Sequence, residues 1–316
     1  MARAPFFERG SGVTPHRCAI HRAAGQDAKP VACRQFPRVS LQDARGISVS
    51  LSHFCPTAAE LLFDPVIPLE IVEGPPAFPP GDSYDGLNAI DALPPLVAPG
   101  MLMDLEAYDA WEHHMIAVLD RPSSPDAALD RLAVDVERLR GWRPAHGPLV
   151  ATIAQLGPDN QEAHSAGHRA HGGLVTEARA VYARVSRATA TLATPVDLQP
   201  NDGRASVSPK APAPDVTGWD EWEAVLCRYL ATRAFANWMA YQGRGLRTVL
   251  ASLYVALDLA RDEVASLMAS SGRALDRSML KEAIRQSDLR LVHHADSQRR
   301  YRWCWSLFIL MDRTGS

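Results

Sequence analysis

Between residues 246 and 267, apolar side chains recur every three or four positions, and this periodicity constrains the fold more than any other feature. The series consists of Leu246, Val249, Leu250, Leu253, Leu257, Ala260, Val264 and Leu267. Residues at this spacing form one stripe along an α-helix, and such a stripe is stable only when other elements bury it. The sequence therefore predicts a helix of about six turns inside a helical body.

Helical spacing continues through much of the chain after residue 100. Ser124 and Pro125 are residue types favoured at the N-cap and at the first position of a helix. We therefore expect a mainly α fold. The apolar stripe that follows Pro125 comprises Leu129, Leu132, Ala133, Val136 and Leu139. Further helices are predicted over 160–194, 219–241, 275–291 and 298–312.

Changes in composition divide the chain into five regions. Residues 1–63 contain three cysteines, a strand-like alternation at 46–52 and a short helical run at 57–63, with Thr57 as its cap. Residues 64–100 hold many of the 24 prolines, so we expect an extended connector that wraps over the surface. The others are a helical region at 101–198, a loop at 199–218 and a helical region at 219–316.

The charge and hydropathy of the chain argue against two classes of partner. The net charge is −3 and the isoelectric point is about 6.4, so no global basic field attracts nucleic acid. No apolar run approaches the ~20 residues that span a bilayer. The N-terminal residues lack the apolar run of a secretory signal. We therefore expect a cytoplasmic protein with no nucleic-acid or membrane partner, and its oligomeric state stays open.

Three of the five cysteines, namely Cys18, Cys33 and Cys55, fall in the first 55 residues. Disulfides are rare in the cytoplasm, so clustered cysteines indicate either metal ligation or simple burial. Thiolates suit zinc and the iron of iron–sulfur clusters. The remaining two, Cys227 and Cys304, lie among apolar and aromatic residues, and we predict that they belong to the core.

The N-terminal cysteines occur in three short blocks: CAIH at 18–21, PVACRQFP at 30–37 and SLSHFCP at 50–56. This series resembles the YkgJ-type cysteine-cluster family of zinc- or iron-chelating proteins, to which the flagellin lysine-N-methylases are similar. The resemblance covers residues 18–62. It implies a metal-binding segment of loops and short strands beside a helical body. In an enzymatic version it also implies methyl transfer from S-adenosylmethionine to lysine side chains of a protein substrate.

The ligand set departs from that family, whose members carry further cysteines upstream of the position that matches Cys18. Here 17 residues precede Cys18 and none is a cysteine, so either the start of the chain is missing or the protein keeps a reduced site. Three thiolates leave a zinc site one ligand short, and His16, His21 or His53 could supply the fourth. Alternatively, three cysteines could hold a four-iron cluster with one open iron, although the C-x3-C-x2-C spacing of radical enzymes is missing.

Two alternatives stand beside this hypothesis. His164, His168 and His171 share one face of a predicted helix and form a rival metal site, which would belong to another enzyme class. The reduced cysteine set also fits a non-catalytic helical protein with a structural metal or a decayed site. The sequence has no Walker loop, serine elbow or HExxH zinc motif, and it indicates no catalytic residue.

Overall fold

The structure is a computed structural model that describes residues 7–8, 17–18, 23–25, 27–29, 31–74, 86–121, 123–156, 218–241 and 245–293. Its fold is mainly α, as predicted. The α-helices are α1 (Val31–Gln35), α2 (Pro56–Leu61), α3 (Leu105–Leu119), α4 (Pro125–Arg140), α5 (Leu149–Ala154), α6 (Glu223–Ala234), α7 (Leu246–Ser271) and α8 (Arg277–Asp288). Shorter helical turns are the 3-10 turns Pro144–His146, Trp219–Trp222 and Trp238–Tyr241 and the π-helical turn Leu289–His293.

Short strands accompany the helices and lie mostly in the N-terminal third of the chain. They are β1 (Phe7–Glu8), β2 (Arg17–Cys18), β3 (Arg38–Asp43), β4 (Gly46–Leu51), β5 (Leu87–Asn88), β6 (Leu96–Ala98) and β7 (Met101–Leu102). The pairs β1–β2, β3–β4 and β6–β7 are antiparallel, and β5 adds to β3 in parallel. The predicted strand at 46–52 is confirmed as β4.

One continuous hydrophobic core joins the helices. The helix α7 packs against α4, α6 and α8, and α3 packs against α4, α5 and α6. The predicted stripe of α7 is confirmed, because every member is buried except Leu267, which packs at the edge of the core. Cys227 of α6 is also buried, as predicted. The helix predicted near 275–291 is confirmed as α8.

The starts of two helices test the capping predictions. Ser124 accepts a hydrogen bond from a first-turn backbone N–H at 3.2 Å, and Pro125 is the first residue of α4, as predicted. In contrast, α2 begins at Pro56, so that Cys55 is its N-cap residue and the prediction of Thr57 is wrong. The reason is that proline presets a helical φ and therefore starts the helix before Thr57.

The continuous helix predicted over 219–241 is interrupted. After α6 ends, the chain leaves the right-handed helical region at Phe235, which is extended, and Ala236 follows with a φ of +50°. The Ala236 N–H donates to Glu112 Oε1 of α3 at 2.8 Å. A tertiary hydrogen bond therefore stabilises a break that helical periodicity does not reveal.

The proline-rich connector packs more closely on the body than predicted. Residues 64–74 contain no helix or strand, but Val97 of β6 is fully buried in the core. Gly245, which precedes α7, has a φ of +92°, and a Cβ there would lie 2.6 Å from the Val97 carbonyl oxygen. Glycine is the residue that fits both conditions. The contact explains how β6 lies directly against the start of α7.

Several predicted features lie outside the described residues. They are the helices over 160–194 and 298–312, all of the predicted loop over 199–218 except Gly218, and Cys304. Within the described ranges, no helix combines the length and apolar character needed to cross a membrane.

Candidate metal centre

The β3–β4 hairpin brings the second and third cysteine blocks to the same place. In its antiparallel register Arg38 lies opposite Leu51. The block with Cys33 immediately precedes β3, and the block with Cys55 begins in the last two residues of β4 and continues beyond it. We call this the open end of the hairpin, and we call the turn between β3 and β4 the hairpin tip. The hairpin therefore unites two blocks that are separate in the sequence.

Contacts between the two blocks hold the open end together. The backbone N–H of Ser52 donates to the carbonyl oxygen of Pro37 at 2.8 Å. The rings of Phe36 and Phe54 meet edge to face with centroids 6.4 Å apart, which is a favourable geometry for an aromatic pair. The cysteine blocks thus form one junction.

The two cysteines at this junction differ in their surroundings. Cys33 lies on α1 and is an exposed residue, and Cys55 is half-buried immediately before α2. The N–H of Cys55 donates to the Ser52 carbonyl oxygen at 3.2 Å, and its own carbonyl accepts from the Ala59 N–H at 2.9 Å. The backbone of Cys55 is therefore held on both sides.

Two side chains of α8 bind the backbone of the turn before Cys55. Asp288 Oδ2 accepts the His53 N–H at 2.6 Å, and Arg285 Nε donates to the Phe54 carbonyl oxygen at 3.1 Å. The Arg285 guanidinium also lies 5.5 Å from the centroid of the Phe54 ring. Asp288 and Arg285 are three residues apart on one helix, so they face the same neighbour. The helical body thereby fixes backbone groups of two successive residues.

The His53 side chain is turned into the helical body. The residue is only 2% exposed, and its ring meets the Tyr229 ring edge to face at 5.6 Å. Its Nδ1 lies 3.7 Å from Asp288 Oδ2. The Tyr229 hydroxyl donates to Asp288 Oδ1 at 3.2 Å, and Arg233 Nη1 lies 3.7 Å from that oxygen. We call these four residues the Asp288 cluster.

The cluster sets the protonation of its members. Burial raises the pKa of Asp288, but hydrogen bonding from His53 and the positive charge of Arg233 outweigh it, so the pKa lies below its ordinary value. Burial, together with the neighbouring Asp288 charge, holds the pKa of Tyr229 well above its ordinary value. At neutral pH Asp288 is therefore a carboxylate, and Tyr229 keeps its proton.

The described residues do not complete the predicted ligand set. Within the described ranges, no three His, Cys, Asp or Glu side chains lie close enough together to hold a metal ion. Cys18 lies in β2 opposite Phe7, and its backbone alone is described. A metal at the open end therefore needs donors from the first block in addition to Cys33 and Cys55. The other histidines considered, His16, His21, His164, His168 and His171, lie outside the described residues.

The hairpin tip is held by a second buried network. Arg45 donates to Asp43 and to Glu112 of α3, with N–O distances of 2.8 and 2.7 Å. Its guanidinium lies 4.7 Å from the centroid of the Tyr108 ring, and the Tyr241 hydroxyl donates to Asp43. These five residues, which we call the tip network, join the hairpin to α3 and to the 3-10 turn before α7.

The two carboxyl groups of the tip network have pKa values shifted in opposite directions. Burial raises the pKa of Asp43, but hydrogen bonds from Arg45 and Tyr241 outweigh it, so the pKa lies below its ordinary value. Burial holds the pKa of Glu112 above its ordinary value despite the charge of Arg45. The tip therefore responds to acid in two opposing ways.

Asp135 of α4 offers an internal comparison for Asp288. His114 Nε2 lies 2.9 Å from Asp135 Oδ2, and Arg131 Nε donates to the same oxygen at 3.0 Å. Arg131 also donates to the Leu156 carbonyl oxygen at 2.6 Å. Both carboxylates are buried beside a histidine. They differ in that Asp135 is held by groups of the helical body, whereas Asp288 contacts the open end of the hairpin as well as the helical body.

In comparisons with known proteins, no protein-family model matches the chain, and neither a curated protein nor a solved structure is significantly similar to it. The resemblance to the YkgJ-type family therefore depends on the three N-terminal blocks.

Sequence reasoning missed Asp288 and Glu112, although each leaves a signal. Asp288 follows Ile284 by four residues, and Glu112 follows Tyr108 by four, so both carboxyl groups lie on apolar helix faces. A charged group on such a face needs a buried partner. The partners on or beside the hairpin, Arg45 and the His53 N–H, lie far away in the sequence. The signal therefore identifies the carboxylates without identifying what they hold.

Proposed function

We propose that this protein is a cysteine-cluster metalloprotein that binds zinc or an iron–sulfur cluster through Cys18, Cys33 and Cys55. The observation that carries the proposal is the hairpin junction, at which two of the three family-like blocks meet with free thiols. For a zinc site we favour His21 as the fourth ligand, because the His53 ring is engaged by the helical body.

In its enzymatic form, the proposal makes this protein a cytoplasmic lysine N-methyltransferase that takes its methyl group from S-adenosylmethionine. The support is the Pro-x-x-Cys-Arg-x-Phe-Pro block together with the helical body. We assign no residue to the methyl donor. Methyl-transfer assays of metal-loaded protein against a panel of lysine-containing proteins test this form. Silence across the whole panel would argue strongly against it.

A specific observation favours a second candidate, a non-catalytic protein with a structural metal or a decayed site. Both ends of the hairpin are fastened to the helical body by buried polar contacts that need no metal. Within the described residues no three-ligand group is preformed either. In this version the cysteine segment organises an interaction surface and performs no reaction.

The proposal is tested by purifying the protein without oxygen and measuring iron, acid-labile sulfide, zinc and the visible absorption spectrum. We expect either a coloured protein with iron and sulfide, or one colourless zinc per chain. Cys33→Ser should abolish metal retention, because it removes an exposed thiolate donor. Cys227→Ser is the matched control, since Cys227 is buried in the body and its thiol lies 3.5 Å from the Ser123 carbonyl oxygen.

The two variants separate the outcomes. Metal that is lost in Cys33→Ser and retained in Cys227→Ser supports the proposal. A protein that contains neither metal nor sulfide, although correctly folded, supports the decayed-site version. Metal that survives Cys33→Ser and is lost when His164, His168 and His171 are replaced together would move the site to the rival histidine group.

A further inference from the structure

We propose that Asp288 and Arg285 of α8 are positioning residues for the candidate metal centre, because they hold the backbone of residues 53–54 and thereby place Cys55. The inference rests on the proposed function, and it extends that function from the cysteines to the helical body. It assigns no ligand role to either residue. Both act through the turn between β4 and α2.

The contacts are directed at backbone groups, which is what positioning requires. A side chain that binds its neighbour's side chain leaves the backbone free to shift, whereas Asp288 and Arg285 bind the N–H of His53 and the carbonyl of Phe54 directly. The Asp288 contact, at 2.6 Å, joins a charged acceptor to an N–H, and charge-assisted hydrogen bonds of this kind are short and strong. Cys55 directly follows His53 and Phe54, so the fixed backbone of these two residues also restricts where the Cys55 thiol can lie.

The positioning carboxylate is itself rigidly held. Asp288 is 1% exposed, and its second oxygen accepts from Tyr229, which is fully buried in α6. Immediately after Asp288 the helix widens into the π-helical turn Leu289–His293, a rare geometry that is often found at functional sites. Outer residues that lock the orientation of a ligand contribute strongly to metal affinity. Asp288 has the burial and the partners to do so.

Positioning of this kind makes metal binding and α8 depend on each other. If α8 preorganises Cys55 for the metal, the bound metal must stabilise the contact with α8 by the same free energy. The stability of the contact between α8 and the turn therefore depends on whether a metal is bound at the cysteine site. Zinc should raise the thermal midpoint of the wild-type protein more than that of Asp288→Asn.

The test compares two matched pairs of variants by competition for Zn²⁺ against a chromophoric chelator. The first pair is Asp288→Asn and Arg285→Met. The controls are Asp135→Asn and Arg131→Met, which remove a comparable buried carboxylate and a comparable arginine-to-carbonyl contact within the helical body. If the purified protein contains iron, we measure the rate at which a chelator removes the iron instead of the zinc affinity. Far-UV circular dichroism of each metal-free variant verifies the fold.

We expect Asp288→Asn to weaken zinc binding by about 10- to 100-fold, and Arg285→Met by somewhat less, while both controls bind like the wild type. Equal affinity of Asp288→Asn and wild type would overturn the inference and leave the cysteine site intact. An equal loss in Asp135→Asn would overturn it too, by showing a general effect of lower stability. Wild-type protein with no cysteine-dependent metal binding would remove the proposed function itself.

Discussion

The tip and the open end of the β3–β4 hairpin are both fastened to the helical body, but by different chemistry. At the tip, Arg45 joins carboxylates of the hairpin and of α3, so that side chains bind side chains. At the open end, Asp288 and Arg285 bind backbone groups of the turn before Cys55. The tip contains no cysteine, whereas Cys33 and Cys55 flank the open end.

We therefore expect the tip network to contribute mainly to folding stability and the backbone contacts of the open end to fix the position of Cys55. The tip network buries opposite charges, so its disruption should weaken folding and leave metal binding intact. The backbone contacts at the open end fix the position of a thiol, so their disruption should weaken metal binding out of proportion to folding. Changes at the two ends are therefore expected to affect different measured quantities.

The largest effect on stability is expected at the tip, from Glu112→Ala. The substitution leaves Arg45 with one strong carboxylate partner and deprives the Ala236 N–H of its acceptor. Removal of one member of a buried ion pair costs about 3 kcal/mol of the free energy of unfolding. Urea denaturation measures this loss, and metal content should not change. Asp109→Ala is the control, because Asp109 is half-exposed and 3.5 Å from Arg45, so its loss should be below about 1 kcal/mol.

A smaller loss is expected from Tyr241→Phe, which removes the hydroxyl that donates to Asp43. Hydrogen bonds to charged groups contribute about 1.5 to 3 kcal/mol, and we expect the lower value because Arg45 continues to pair with Asp43. Equilibrium denaturation checks the value, and zinc affinity provides the comparison. A large loss of zinc affinity in Tyr241→Phe would break the proposed separation between the two ends.

Acid should affect the contributions of Asp288 at the open end and Glu112 at the tip with opposite sign. The pKa of Asp288 is lowered in the folded protein, so its contribution to stability is present above its unfolded pKa of about 3.9 and is lost as the pH falls through the folded value. The pKa of Glu112 is raised, so its contribution grows as the pH falls through the folded value towards about 4.3.

Denaturation series from neutral pH down to about pH 3 test these signs. Asp288→Asn should flatten the loss of stability below about pH 4, because the variant has no lowered carboxyl pKa at this position. Glu112→Gln should steepen the loss of stability as the pH falls towards about pH 4, because the variant lacks the carboxyl group whose protonation stabilises the folded protein. Identical acid profiles for the two variants would contradict the assignment of opposite pKa shifts to Asp288 and Glu112.

The smallest effect on stability is expected from Cys33→Ser in metal-free protein. Cys33 is exposed, and surface substitutions usually change the free energy of unfolding by less than about 0.5 kcal/mol. The same variant should nevertheless lose its metal. Denaturation of the metal-free protein and metal analysis of the untreated protein measure the two quantities separately. A substantial destabilisation without metal would show that Cys33 has a packing role.

Much of the helical body could be predicted because the residues that specify each helix lie within that helix. The apolar stripe of α7 and the Ser124–Pro125 start of α4 each depend on residues within one element. The break at Ala236 could not be predicted, because it depends on a hydrogen bond to Glu112 on another helix. The predicted start of α2 at Thr57 is wrong because Pro56 presets a helical φ and itself becomes the first residue of the helix.

The candidate site was predictable to a lesser extent. The sequence pattern identifies Cys33 and Cys55 as candidate ligands, but the meeting of their two blocks follows from the register of β3 and β4, which pairs residues across a turn. The strand β3 itself was not predicted. The roles of Asp288 and Arg285 depend on how α8 packs against the hairpin, a contact between segments more than 200 residues apart, as the separations of 231 and 235 positions show.

The most direct test of the account is a crystal structure of the metal-loaded protein, with the metal located by anomalous scattering at its own absorption edge. The account predicts one metal centre at the open end of the hairpin, bonded to the sulfurs of Cys18, Cys33 and Cys55 at about 2.3 Å. Those three sulfurs lying far apart, or the metal bound at His164, His168 and His171, would contradict it.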